Sequence, residues 1–204
     1  ECSTTTAWED FFKVANYADA CPSSSIIHLK FPRKDGKGDI KFTWMDGGLL
    51  PERPEELLPD ERLGDSAGGY LFYGTKGKLM GNYAMPPVLL PTKRMKDVKL
   101  PAQTIPRIAG AENGHYTEWV DACLAGYGKK QLSSPFDYAG PMTEAVLMGN
   151  LAVRSYQMQV KTANGGISYP GRKKLLWDAK SMKITNFDEA NAFVKRDYRE
   201  GWSL

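Results

Sequence analysis

The chain contains two histidines, and they are the first residues to consider as acids, bases or ligands. His115 is predicted in the first turn of a helix that Asn113 can cap, where unpaired N–H groups favour a neutral imidazole or a bound anion. A hydrogen bond to residues 110–114 would explain His115 equally well. His28 lies on a predicted strand that alternates apolar and polar residues, which favours a structural or partner-contacting role on a sheet face. His115 is therefore the better functional candidate.

Among the carboxylates, Asp46 comes closest to a catalytic setting, although an ordinary turn residue would fit the same position. It ends a predicted strand two residues after Trp44. The nucleophile elbow Gly-x-Ser-x-Gly is absent, and no Ser, His and acid are spaced as a catalytic triad. The segment 74–78 lacks the spacing of a phosphate-binding loop and has Leu79 where Ser or Thr would bind magnesium, so it indicates a hairpin turn. A Gly-rich dinucleotide-binding fingerprint is also missing.

With 204 residues, of which 42% are hydrophobic and 25% charged, the chain is long enough for one sizeable core or at most two small ones. The 27 basic and 24 acidic residues leave a net charge of +3, which is too small to indicate a nucleic-acid or membrane-surface partner. No apolar run reaches the ~18 residues that a membrane span needs. Two His and three Cys nearly exclude a zinc site. Free thiols are favoured over one disulfide, and Cys123 is expected to be buried on a helix.

Strands are predicted first and helices later, an order that is typical of an α+β fold. The strands are expected over residues 1–6, 25–31, 39–45, 70–73, 78–83, 88–90, 172–177 and 182–185. The helices are expected from Asn113 to Gly126, from Gly140-Pro141 to Tyr156, and from a capping box of Asn186 and Glu189 onward. In the hairpin of 25–31 and 39–45, apolar and polar residues alternate, as in half-buried strands.

The order of several segments resembles one known family. The segments are KFTWMDGG at 41–48, PERP at 51–54, GTKGKL at 74–79, HYTEW at 115–119, SPFDYAGPMTE at 134–144, LLWD at 175–178 and YREGW at 198–202. Together they are similar to the C-terminal domain of the Gfo/Idh/MocA oxidoreductases, the relatives of glucose–fructose oxidoreductase and inositol dehydrogenase. The similarity extends over nearly the whole chain.

The resemblance implies a two-domain enzyme in which an N-terminal Rossmann domain binds NAD or NADP. Its C-terminal partner would be an open, mainly antiparallel β-sheet with helices packed on one face. That sheet helps to form a sugar or polyol pocket and commonly builds the oligomer interface. The implied reaction is hydride transfer from a substrate carbon to nicotinamide, while a His or Lys takes the hydroxyl proton.

The chain lacks the family motifs that bind the cofactor and carry out catalysis. It has neither the Gly-rich fingerprint nor the Glu-Lys-Pro motif. The family's catalytic Asp-x-x-x-His motif is missing too, since Ser24 and Ala111 stand four residues before the two histidines. No catalytic residue is therefore assigned. We expect residues 1–204 to be a single substrate-binding and oligomerisation domain of a larger NAD(P)-dependent dehydrogenase, inactive alone and without a cofactor of its own.

The candidates for the substrate side are Trp44, Asp46, Arg53, Arg107 and His115. They are predicted at strand ends, in loops or at a helix start, where polar groups can converge on a pocket, although both arginines could instead be solvated or ion-paired. The expected partners are a carbohydrate-like small molecule, the enzyme's own Rossmann domain and further copies of the chain, with no nucleic acid and no membrane. The compartment stays open between cytoplasm and export. The alternatives are a non-enzymatic carbohydrate-binding or self-assembly module, and a hydrolase that uses nicotinamide transiently.

Overall fold

The structure is a computed structural model that describes residues 1–11, 13–15, 20–83, 85–196 and 198–202. It contains two compact units. Unit 1 comprises Glu1–Leu50 and Asp121–Leu204, and unit 2 comprises Pro51–Val120. Strands dominate the first 90 residues and helices follow, so the fold is of the α+β class, as the sequence predicts.

The strands are β1 (Cys2–Thr4), β2 (Ser25–Pro32), β3 (Asp39–Met45), β4 (Tyr70–Gly74), β5 (Gly77–Gly81), β6 (Val88–Leu90), β7 (Val160–Lys161), β8 (Ile167–Ser168), β9 (Trp177–Asp178) and β10 (Lys183–Ile184). The α helices are α1 (Gly114–Ala125) and α2 (Phe136–Tyr156), and 3₁₀ helices span Thr92–Asp97, Ala111–Asn113 and Asp188–Phe193. None of the helices in the described residues is long and apolar enough to cross a membrane.

The strands pair in an antiparallel manner throughout the described residues, as expected, but they form several small sheets and not one open sheet. Two sheets have three strands, in the orders β1-β2-β3 and β4-β5-β6, and two have two strands, β7-β8 and β9-β10. The physical reason is that each described strand pairs only with its neighbour along the chain. No crossover connection therefore joins the hairpins into a single sheet.

The hairpin of β2 and β3 has the predicted alternation. Its register pairs Ile27 with Trp44, Leu29 with Phe42 and Phe31 with Ile40. Residues directly opposite one another point to the same face, so these six apolar side chains lie together. Burial on this face is limited to β2, because Ile27 is buried while Ile40, Phe42 and Trp44 of β3 are 58%, 45% and 53% exposed.

Helix α2 begins one turn earlier than the sequence predicts, at Phe136 and not at Gly140-Pro141. The N–H groups of Tyr138 and Ala139 donate to the carbonyl of Pro135, at 3.0 and 2.9 Å, and this starts the helix. Pro141 lies inside α2, where its missing N–H leaves the carbonyl of Asp137 without the usual helical bond. The helix packs on β1 and β2, and its buried Gly149 lies directly against Ile27.

The buried core of unit 1 continues after α2. Ile184, Phe187 and Ala190 are buried, and Leu151 of α2 and Trp177 pack against them. The two strands that the sequence predicts here, over 172–177 and 182–185, shorten to β9 and β10. The expected third helix is a 3₁₀ turn.

The predicted capping box at the start of that turn is wrong. The Asn186 side chain accepts a hydrogen bond from the Leu176 N–H at 2.8 Å and donates to the Lys174 carbonyl at 2.7 Å. Phe187 then precedes the 3₁₀ helix without a side-chain cap. Asn186 is thus occupied by a bridge to the preceding loop, a contact that local spacing does not reveal.

The apolar stripe of α1 is not buried, contrary to the sequence-based expectation. Tyr116, Trp119, Val120 and Leu124 are all exposed, and so is Cys123. The reason is that no other described element packs on this helix. The three cysteines are free thiols, as expected.

Unit 2 is built around the sheet of β4, β5 and β6. The predicted hairpin is confirmed, with Gly74 opposite Gly77 at its turn, although β5 ends at Gly81 and not at Tyr83. Lys78 on β5 forms an ion pair with Glu56 at 2.8 Å, and the buried Leu90 ends β6.

The contact of Gly149 with Ile27 gives a first prediction. A Cβ on Gly149 would lie 3.2 Å from Cδ1 of Ile27, so the larger side chain of Gly149→Val must displace either the Ile27 side chain or α2. We expect it to lower the free energy of unfolding by about 1–3 kcal/mol in urea titrations, as overpacking does. Asn150→Val, at the next and exposed position, adds the same β-branched side chain to α2 and should cost only a few tenths of a kcal/mol. Equal losses for the two variants would show that this close approach is unimportant.

Candidate functional site

The Asp46 carboxylate is the side-chain group with the most hydrogen bonds at the end of the first hairpin. Its Oδ1 accepts a hydrogen bond from the Ser25 N–H at 2.6 Å, and its Oδ2 accepts one from the Ser25 hydroxyl at 2.7 Å. The Trp44 indole Nε1–H donates to Oδ2 at 3.0 Å. The carboxylate therefore joins the start of β2 to the end of β3 and also fixes the indole.

The same contacts set the protonation of Asp46. Burial alone raises the pKa of this carboxyl, but the hydrogen bonds from Ser25 and Trp44 favour the charged form and leave the pKa below its ordinary value. Asp46 is thus a fixed anion at neutral pH. It accepts hydrogen bonds, and it is a poor general acid.

Trp44 and Asp46 together have the chemistry of a carbohydrate contact. The indole is 53% exposed and its N–H is bonded to Asp46, so the ring is oriented and still accessible to a ligand. A carboxylate has about four lone-pair sites, and three are used here, which leaves one for a ligand hydroxyl. Of the five candidate residues, these two are in direct contact.

Arg53 has a structural role within unit 2. Its Nη2 donates to the carbonyls of Leu58 and Glu61, the latter at 2.7 Å. The guanidinium thereby closes the loop after Pro54, and the Glu61 carboxylate accepts hydrogen bonds from the Thr92 hydroxyl and the Leu58 N–H.

Arg107 and His115 are both exposed residues of unit 2. Arg107 makes no ion pair or side-chain hydrogen bond to any residue that the structure describes. The His115 ring lies against the Tyr116 ring, with centroids 3.9 Å apart, and it makes no hydrogen bond to the described part of the 110–114 loop. No contact within unit 2 links Arg53, Arg107 and His115 to one another in the described residues, so their assignment to the substrate stays a prediction.

Unit 1 also contains a cleft with a volume of about 210 Å³, which the sequence does not predict. It is lined by Cys2, His28, Tyr156, Arg172 and Lys173, among others. The adjacent basic residues after Tyr169-Pro170-Gly171 were the available signal, but only the packing of α2 brings Tyr156 beside them. Burial raises the pKa of the Cys2 thiol to about 11, so this cysteine is a neutral group and not a nucleophile at physiological pH.

Groups of three or more His, Cys, Asp or Glu that could hold a metal ion do not occur in the described part of the chain. Comparison with known proteins adds no assignment: no protein-family model matches the chain, and no curated protein is significantly similar to it.

The bonding of Asp46 gives a second prediction. In Asp46→Asn the amide can satisfy the Ser25 N–H, but its NH₂ group would then face the Trp44 N–H, which leaves a donor unpaired. We expect the free energy of unfolding at neutral pH to fall by about 1–3 kcal/mol. Asp39→Asn is the control, since Asp39 is exposed at the other end of β3 and makes no side-chain hydrogen bond to a described residue.

The pH dependence follows from the lowered pKa. A carboxyl with a depressed pKa stabilises the folded state above its unfolded pKa of about 3.9, and this contribution is lost as the pH falls through the folded pKa. Urea titrations should therefore show the difference between the parent chain and Asp46→Asn shrinking below about pH 4. A difference that stays constant or grows in acid would contradict this account of Asp46.

Proposed function

We propose that this chain is the substrate-binding and oligomerisation domain of an NAD(P)-dependent oxidoreductase that acts on a sugar, polyol or derivative. The proposal is supported by the ordered segments that resemble the C-terminal domain of Gfo/Idh/MocA oxidoreductases. It is also supported by the α+β class, the antiparallel hairpins and the packing of α2 on β1 and β2.

The observation that carries the substrate class is the pair of Trp44 and Asp46. An exposed indole locked by its own hydrogen bond offers an apolar face to the C–H face of a sugar ring. Asp46, kept ionised by Ser25 and Trp44, can accept a hydrogen bond from a ring hydroxyl. These residues would bind and orient the substrate, and neither is proposed to move a proton.

The residues present do not fit a nicotinamide dinucleotide. Such a cofactor is held by a parallel βαβ unit with a glycine-rich turn at a helix N-terminus, whereas every strand pair in the described ranges is antiparallel. The proposal therefore places NAD or NADP on the Rossmann domain of the larger enzyme, and no chemical step is assigned to this chain.

The exposed apolar row of β3 supports the proposed self-association. Ile40 and Phe42 are 58% and 45% exposed, and they lie beside Phe31 and Leu29 of β2 on one face. Strand β3 is also an edge of its sheet, with no described strand on its outer side. Binding of a second copy of the chain would bury this apolar surface. Trp44, at the α2 end of the row, would remain accessible to the substrate.

The test compares the 204-residue chain with the longer gene product that the proposal requires. The chain alone should neither bind nicotinamide nor turn over, and the longer product should do both. In the longer product, Trp44→Ala should raise KM for the sugar or polyol at least about fivefold and change kcat little, because stacking contributes equally to substrate and transition state.

Trp8→Ala is the matched control, since Trp8 is an equally exposed tryptophan of unit 1 with no part in the pair. Equal effects of the two substitutions would remove Trp44 from the substrate site. If the chain alone binds nicotinamide, the proposal that the cofactor is bound by another domain is wrong. Sugar binding by the chain, with no dehydrogenase activity in any longer product, would favour the carbohydrate-binding module instead.

A further inference from the structure

The cleft of about 210 Å³ in unit 1 is formed by three separate parts of the fold. Cys2 of β1 and His28 of β2 line one side, Tyr156 at the end of α2 lines another, and Arg172 and Lys173 complete it. Its volume corresponds to roughly seven water molecules at ~30 Å³ each, which is enough for one ionised group and a short organic residue.

The loop that carries the two basic residues is fixed against α2. Gly171 is buried, and a Cβ at this position would overlap the carbonyl of Ser155 in the last turn of the helix. The Arg172 N–H also donates to the Tyr169 carbonyl at 3.2 Å. The backbone beneath the two basic side chains is therefore held in one place.

The guanidinium of Arg172 is held by aromatic rings and not by a carboxylate. Its Cζ lies 3.7 Å from the ring centroid of Tyr169 and 4.7 Å from that of Tyr156. Cation–π contacts of this kind hold the guanidinium through its positive charge and do not require its N–H groups as hydrogen-bond donors. No described residue accepts a hydrogen bond from them or forms an ion pair with Arg172.

The other groups around the cleft leave this positive charge uncompensated. Lys173 Nζ lies 4.5 Å from the ring centroid of Phe187 and has no carboxylate partner in the described ranges. Glu1 also lines the cleft, but its carboxylate forms no ion pair with either cation. His28 is bonded through Nδ1 to the Thr43 hydroxyl at 3.1 Å, and Cys2 is a neutral thiol.

We propose that this cleft binds a small organic anion through a carboxylate or phosphate group. Arg172 offers two parallel N–H donors to two oxygens of that group, and Lys173 supplies a second positive charge. The inference rests on the arrangement of Arg172, Tyr156, Tyr169 and Lys173, and it is independent of the proposed oxidoreductase function.

The experiment is a calorimetric titration of the 204-residue chain with inorganic phosphate and, separately, with acetate, at an ionic strength held constant with chloride. Glycerol is the uncharged probe. We expect saturable binding of at least one anion, with a Kd on the order of 1 mM, and no binding of glycerol. Binding of phosphate alone or of acetate alone identifies which of the two groups the cleft takes.

The variants distinguish a specific anion-binding site from nonspecific electrostatic attraction. Arg172→Gln should weaken binding at least about tenfold, the loss typical of a charge-assisted hydrogen-bonding pair. Arg172→Lys keeps the charge but loses the planar fork, so its effect should be intermediate. Lys174→Gln is the matched control, because it removes one positive charge from the same loop at a residue that does not line the cleft.

Two results would overturn the proposal. One is the absence of saturable binding of both anions to the parent chain. The other is a loss of affinity in Lys174→Gln as large as that in Arg172→Gln. Circular dichroism checks that the variants are folded, and if Arg172→Gln is not, the comparison of Arg172→Lys with Lys174→Gln decides in the same way.

Discussion

The close approach of α2 to the sheet is the constraint on which the rest of unit 1 depends. Gly149 lets the helix backbone lie close to Ile27, since a Cβ at this position would come within 3.2 Å of the Ile27 Cδ1. The helix also reaches the C-terminal core, where the Trp177 indole N–H donates to Glu144 at 2.7 Å. One helix thus connects the N-terminal hairpin to the buried core formed by Ile184, Phe187 and Ala190, and its final turn forms one wall of the cleft.

This arrangement leaves much apolar surface uncovered. Among the described residues of unit 1, the buried hydrophobic ones are few, namely Ile27, Ala152, Ile184, Phe187 and Ala190, whereas the apolar row of β3 faces solvent. Large exposed apolar patches are typical of surfaces that contact another protein, a membrane or a ligand. The proposed assembly into a larger, oligomeric enzyme gives this row a partner and leaves the end of the hairpin, with Trp44 and Asp46, for a ligand.

The parts of the fold that depend on neighbouring residues could be predicted from the sequence. The alternation in β2 and β3 gave both the hairpin and the shared face, and Trp44 and Asp46 are close because they are two residues apart along one strand end. The expected start of α2 lies one turn too late, because proline prefers the first helical position, whereas Pro141 lies inside the helix at the cost of one backbone hydrogen bond. The hydrogen-bonded bridge made by Asn186 and the exposure of α1 depend on tertiary contacts, which the spacing of residues along the sequence does not reveal. The cleft needs Arg172 and Tyr156 to meet through the packing of α2, so no local pattern could reveal it.

The central claim is that this chain supplies the substrate half of an enzyme whose cofactor half lies on another domain. The most direct measurement is the sequence of the gene upstream of the codon for Glu1. The account predicts an in-frame stretch of about 150–250 codons, the length of a typical domain, with a strand, a Gly-x-Gly-x-x-Gly turn and a helix near its start. A reading frame that begins at Glu1, or an upstream domain without that fingerprint, would contradict it.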